Sequence, residues 1–187
     1  MVLHPIASQT IGPFLRIGLT PLFITEIAGP DVPGERVTLR GRVFDGDGKP
    51  INDALIEVWQ ANAAGRYAHP DDTQEKPLTP GFQGFGRSPT DDDGVFHFTT
   101  IKPGAVAGQD GQQQAPHLAV TVFMRGLLRQ LVTRMYFPGD PANEADPVLR
   151  LIPEERRATL VAQPTADGTL EWDIHLQGPD ETVFFAT

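Results

Sequence analysis

The side chains best placed to do chemistry in this 187-residue chain sit at the ends of two apolar, strand-like runs. In residues 55–67, alternating Leu55, Glu57, Trp59 and Ile56, Val58, Gln60 read as a strand that breaks at Asn62 and Gly65 and delivers Arg66 and Tyr67 to a loop at a sheet edge. On physics alone Tyr67 is a rim tyrosine covering a core edge with its hydroxyl in water. His117 opens the second run, residues 116–123, where a lone histidine is ordinarily hydrogen-bonded into the structure. Arg125 leaves the far end of that run, a usual place for an exposed or surface-paired cation. Its fixed charge and planar fork also suit a carboxylate.

Other constellations carry less. Asp45, Asp47 and Asp53 have the acidity of a calcium loop but not its twelve-residue spacing, and the stretch from Asp45 to Pro50 reads as a plain hairpin turn. His175 shares a strand face with Glu171 and Asp173, a pattern more typical of an exposed mixed-charge face than of a metal site. His69 lies beside a proline in a loop and His97 on the polar side of a strand, and both read as surface residues. Residues 81–86 look like a glycine-rich loop, yet no helix follows to bind phosphate. There is no Gly-x-Ser-x-Gly elbow, Walker loop or cysteine, so nucleophilic hydrolysis, nucleotide chemistry, thiolate zinc and disulfides have no support.

The elements that must position these residues are those of an all-β fold. Gly 19 and Pro 18 make up about a fifth of the chain and are spread along it, which favours many turns over low complexity. We expect a mainly antiparallel β-sandwich with long loops and one short helix, residues 153–162, occupying residues 1–187 as a single domain. Residues 1–36, broken by Pro5, Pro13, Pro21, Pro30 and Pro33, read as an irregular arm that cannot hold a long helix, and residues 37–187 as the sandwich. Residues 68–93 read as one long excursion, and 105–114 as a flexible loop poor in aromatic residues. The apolar tail Val183, Phe184, Phe185 should dock on this domain or a neighbour.

With Lys plus Arg 15 against Asp plus Glu 24, the formal charge of −9 disfavours nucleic acid and anionic membranes as partners. Residues 1–20 lack a basic start followed by a long apolar run, so a cytoplasmic protein is expected.

The run Glu57-x-Trp59-Gln60-Ala61-Asn62-x-x-Gly65-x-Tyr67 resembles a signature of the intradiol ring-cleavage dioxygenases. The likeness continues through Phe85-Gly86-Arg87, Thr90-Asp91, Gly94, the Ile101 to Gly104 turn and Ala115-Pro116-His117, and ends in Gly178 and residues 181–185. In that family two tyrosinate oxygens and two imidazole nitrogens hold ferric iron, and such donors suit a hard ferric ion. The resemblance puts Tyr67 and His117 at two of the four positions, but Val106 at the second tyrosine and Ala119 at the second histidine. Gln114 stands approximately where an arginine steadies the substrate.

A chain with two remnant donors resembles the alpha, iron-free member of the two-subunit enzymes in the family, with no catalytic residue complete within it alone. The resemblance implies an iron-bearing beta partner that holds Fe(III), a hetero-oligomer of alpha–beta pairs, and O₂-dependent cleavage of 3,4-dihydroxybenzoate to 3-carboxy-cis,cis-muconate. In such alpha subunits a Ser-Gln-Thr-x-Gly-Pro-aromatic element lines the shared site, which carries over to Thr10, Gly12, Pro13 and Phe14, with Phe14 lacking the hydroxyl common there. Arg125 carries over as the arginine sent into the same pocket. A non-enzymatic β-sandwich binding module that kept only the scaffold is the alternative.

Overall fold

The computed structural model describes residues 7–108 and 111–186; the first six residues of the expected arm, two at the tip of the 105–114 loop and the last residue lie outside that part. Arg36–Phe44 (β1) alternates buried and exposed residues along its length, as its Val37, Leu39 and Val43 pattern requires. It pairs antiparallel with Val95–Ile101 (β4) on one side. On the other side it pairs, parallel and in succession, with Leu170–Glu171 (β10) and Ile174–His175 (β11). Gln163–Pro164 (β9) extends this sheet beyond β10.

The expected strand over 169–176 is thus split in two. Trp172 N still donates to Arg40 O, but between the two pieces Arg42 N donates to the Asp173 carboxylate at 2.8 Å, so a side chain replaces one rung of the ladder. Gly41 is required opposite the break, because a Cβ there would lie 1.9 Å from Trp172 O.

The second sheet is antiparallel, in the order Phe85–Pro89 (β3), Leu55–Trp59 (β2), His117–Phe123 (β7), Leu131–Tyr136 (β8). Its inner face, with Ile56, Val58, Leu118, Val120, Val122 and Met135, packs on Leu39, Phe96 and Phe98 of the first sheet in one buried cluster. Each fully buried aliphatic or aromatic side chain there contributes roughly 1.5–3 kcal/mol. The fold is the expected all-β sandwich.

Strand β3 lies inside the stretch read from sequence as one excursion. Gly86 and Pro89 disguised it. Gly86 is needed because a Cβ would meet the Ile27 side chain at 2.6 Å, and Pro89 is tolerated because β3 is an edge strand. Residues 24–28 lie along the edges of both sheets: Ile24 pairs with Arg87 of β3 and Glu26 with Thr99 of β4. The 105–114 loop is a small hairpin, Val106–Ala107 (β5) against Gln113–Gln114 (β6).

Among the described residues there are two short α-helices rather than one. Pro13–Leu19 (α1) begins at the Gly12-Pro13 step, where proline sits at a first helical position and its missing N–H costs nothing. Glu154–Arg157 (α2), continued by a tighter turn through Leu160, lies within the expected 153–162 segment and buries Leu160. The C-terminal tail docks on β8: Phe185 N donates to Val132 O, and Thr133 Oγ1 donates to Val183 O. Among the described residues, no helix is long and apolar enough to cross a membrane.

Candidate functional site

The residues singled out from the sequence gather at the two ends of the β3-β2-β7-β8 sheet. At one end β2 runs out through Trp59, and Gln60 turns inward and is fully buried. Its amide donates to Ile101 O and Ala61 O, and its carbonyl accepts from Thr100 Oγ1 at 2.6 Å, so this glutamine ties the two sheets. Asn62 then builds the turn: its Oδ1 accepts from Ala64 N and Arg66 N, and its Nδ2 donates to Pro77 O and Thr79 Oγ1. Gly65 has φ +80°, and a Cβ on it would lie 2.0 Å from Ala105 O. The outcome is Tyr67, its N–H held by the Asp72 carboxylate at 2.7 Å and its ring stacked on Trp59 at 6.1 Å between centroids. His69 touches the other side of this cluster, edge-on to Trp59, and is exposed.

Next to it, His117 at the start of β7 is buried, with Nδ1 2.8 Å from Ala115 O and its ring 5.7 Å from Tyr136 on β8. The Tyr136 hydroxyl donates to the buried Asp146 carboxylate at 3.1 Å, which also accepts from the backbone N–H groups of Ala115, Val148 and Leu149. Burial, with the Arg134 charge acting the same way, pulls the His117 pKa down to about 4. Burial pushes Tyr67 up from the ordinary tyrosine value, with Arg134 opposing, and pushes Tyr136 up as well. At neutral pH this end therefore holds a neutral imidazole and protonated phenols around one guanidinium.

That donor set does not fit a ferric ion. Tyr67 and His117 are two donors, Val106 and Ala119 have no lone pair to give, and the neighbouring cation opposes a metal charge.

At the opposite end, about 13 Å along β2 by strand rise, the sequence-expected contact residues come together. Gly12, Pro13 and Arg125 line one cleft of about 510 Å³ with Arg16, Asp53 and Leu55. Thr10 Oγ1 accepts from Gly126 N at 2.7 Å, which fastens the arm beside Arg125. Phe14 does not join the cleft: it is 83% exposed on the outer side of α1. Arg125 Nε lies 3.0 Å from the Asp53 carboxylate, with most of the arginine in solvent.

Sequence reasoning missed Arg16, Asp53 and Arg134. Arg16 holds α1 on the sandwich by donating to Asn52 O at 2.6 Å and Thr90 O at 3.0 Å. Its position in the turn after Pro13 is the only signal that could have marked it. Ile17 on the cleft wall is 64% exposed, and Phe14 on the same helix and Leu22 and Ile24 just after it are exposed as well, Leu22 at 53%. The His175 face is not a metal site: Asp173 is taken up by Arg42 N, and the His175 ring stacks on Phe44 at 5.0 Å.

A family model described as Dioxygenase matches residues 23–178. The chain is 46% identical to the protocatechuate 3,4-dioxygenase alpha chain of Burkholderia cepacia, over 95% of this chain and 95% of that one. It is also 44% identical to the beta chain of the same organism's enzyme, over 80% of this chain and 67% of that one. Among solved structures it resembles the dioxygenase domain of a dioxygenase carbohydrate-binding protein fusion from Streptomyces sp. SirexAA-E, with TM-score 0.61 and 28% identity, covering 82% of this chain and 85% of that one.

Proposed function

The chain belongs to the intradiol ring-cleavage dioxygenase family, and from that premise we propose that it is the alpha subunit of an enzyme that converts 3,4-dihydroxybenzoate and O₂ to 3-carboxy-cis,cis-muconate. Intradiol dioxygenases use iron, and in this reading the Fe(III) belongs to a beta partner. The ring-cleavage centre is then the partner's, and residues 1–187 act as one unit that walls it.

The observation that carries this reading is the separation of the two ends of the sheet. One end has the family's turn and its Tyr67 but donors unsuited to ferric iron. The other has Gly12, Pro13 and Arg125 around an open cleft bordered by exposed apolar side chains. An open, half-walled cleft with an apolar border is what a subunit offers when another chain completes the pocket.

Each residue then has a task in the composite site. Arg125, held now by Asp53, offers a planar fork for the substrate carboxylate and so orients the ring. Gly12 and Pro13 leave the arm backbone open to close approach, Thr10 fixes that arm by its bond to Gly126, and Arg16 locks α1 behind it. Phe14, Ile17, Leu22 and Ile24 face the partner, and covering them keeps water from the substrate.

The test is metal content and loss of 3,4-dihydroxybenzoate absorbance for the chain purified alone and after co-expression with a beta chain. Iron and activity only in the mixture are expected. An iron-loaded, active single chain overturns the reading, and no activity in either sample leaves a β-sandwich binding module in its place.

A further inference from the structure

Arg134 adjoins one of the four positions of the expected ligand set by strand register and the strand partners of two others by its hydrogen bonds. Strand register puts Trp59 opposite Ala119 and Ala119 opposite Arg134, so the arginine stands beside the methyl group at the position of the missing second histidine. All three are part-exposed, which places them on the outer face of the sheet. Two register positions along, His117 faces Tyr136, whose hydroxyl lies 3.4 Å from Arg134 Nη1. The same nitrogen donates to Gln114 Oε1 at 2.9 Å, and Gln114 is the strand partner of Val106, at the position of the missing tyrosine. Tyr67, the fourth position, is stacked on Trp59. Among the described residues Arg134 forms no ion pair; its hydrogen-bond partners are a neutral amide and a phenol.

We propose that the Arg134 guanidinium takes the place of the metal ion, as a fixed internal cation that fills the site between Tyr67, His117 and Ala119 and bars di- and trivalent cations from it. This inference rests on the alpha-subunit reading for the identity of the four positions. The physical reason is charge and space together. A guanidinium cannot lose its proton at any ordinary pH and has no lone pair to offer a metal. Its Nη1 donates to the Gln114 side-chain carbonyl and to the Tyr136 hydroxyl oxygen, whose own proton goes to Asp146, so the guanidinium is tied to both neighbours of the site. The chain has thus not merely lost two donors. It has been refilled with a positive charge whose hydrogen bonds hold the β5–β6 hairpin against β8.

The experiment compares the full-length chain carrying Ala119→His with the same chain carrying Ala119→His and Arg134→Gln, and with a third carrying Ala119→His and Arg134→Lys. Each is checked for its fold by circular dichroism and titrated with Co(II) by calorimetry and visible absorption. We expect Co(II) to bind the Gln variant at least tenfold more tightly than the variant that keeps Arg134, and the Lys variant to stay with the weak binder. Equal affinities for the Arg134 and Gln variants overturn the proposal, as does a failure of both to bind. If the Lys variant matches the Gln variant, bulk and not charge is the barrier, and the proposal is also lost. Arg134→Gln on the otherwise unsubstituted chain, titrated in the same way and expected to gain Co(II) affinity, covers the case in which Ala119→His does not fold. None of these readouts involves a beta chain or ring cleavage, so they separate from a failure of the alpha-subunit reading.

Discussion

Thr10 Oγ1 accepts a hydrogen bond from the Gly126 N–H at 2.7 Å, across 116 residues of sequence, so the arm and the strand end that carries Arg125 are one local structure. Thr10→Val keeps the shape and removes the acceptor. The expected result is a five- to tenfold fall in kcat/KM for 3,4-dihydroxybenzoate in the alpha–beta assembly, the size of one hydrogen bond worth about 1 kcal/mol. Steady-state kinetics check it, and a rate unchanged from the parent would show that the arm is held without this bond.

Arg125 faces a choice of carboxylates. In the chain alone it is 3.0 Å from Asp53, an exposed pairing worth about 0–1 kcal/mol. A substrate carboxylate in a closed, dry pocket gains more, about 1.5–3 kcal/mol for a charged hydrogen bond. Arg125→Met should therefore leave the melting temperature of the chain nearly unchanged and lower kcat/KM for 3,4-dihydroxybenzoate about 10- to 100-fold. Catechol, which has no carboxylate, should lose less than about threefold. Equal losses for both substrates would assign Arg125 to packing or assembly instead.

The exposed apolar side chains on and just after α1 predict how the proposed alpha and beta subunits meet. Phe14 is 83% and Leu22 53% exposed, so a charge at either site costs the isolated chain little, within about 0.5 kcal/mol. In the proposed assembly the same charge would be buried without a partner. Phe14→Asp and Leu22→Asp should each weaken association with the beta chain at least about tenfold while the circular dichroism melt of the free chain stays put. Analytical ultracentrifugation of mixed chains reads this directly, and undiminished assembly would move the interface elsewhere.

The sandwich was legible because its central strands keep period-two alternation: Val37, Leu39 and Val43 on β1, and Phe96 and Phe98 on β4, are all inside. Strand β3 was not, since Phe85-Gly86-Arg87-Ser88-Pro89 has neither alternating hydrophobicity nor β-branched residues. It is a strand only because β2 lies beside it and Ile27 demands a glycine. Helix α1 was read as part of an irregular arm because Gly12-Pro13 signals both a turn and a helix start, and the tertiary bonds of Arg16 favour the helix. At the site, Gly12, Pro13 and Arg125 were legible from motif, and the cleft gathers them. Arg134 was invisible. An arginine inside a strand gives no sequence signal, and its meaning comes only from the register that sets it beside Ala119.

His117 offers a pH-dependent measure of whether it is a structural histidine. Its pKa falls from 6.5 to about 4 in the folded chain, chiefly because it is buried, with the Arg134 charge adding to the effect. Between these values the unfolded chain binds a proton that the folded chain refuses. The contribution of His117 is therefore full above about pH 6.5 and is lost as the pH falls toward 4. From pH 7 to pH 5 the loss amounts to about 2 kcal/mol. Asp140, whose carboxylate pairs with Lys102 at 2.8 Å, is held below the usual carboxylate value, so its contribution is lost only further into acid and leaves this window clear. His117→Gln removes the titrating ring, and its urea midpoint should be lower than the parent's at pH 7 but should change far less between pH 7 and pH 5. A variant that loses stability across that interval as steeply as the parent would place the titrating group elsewhere.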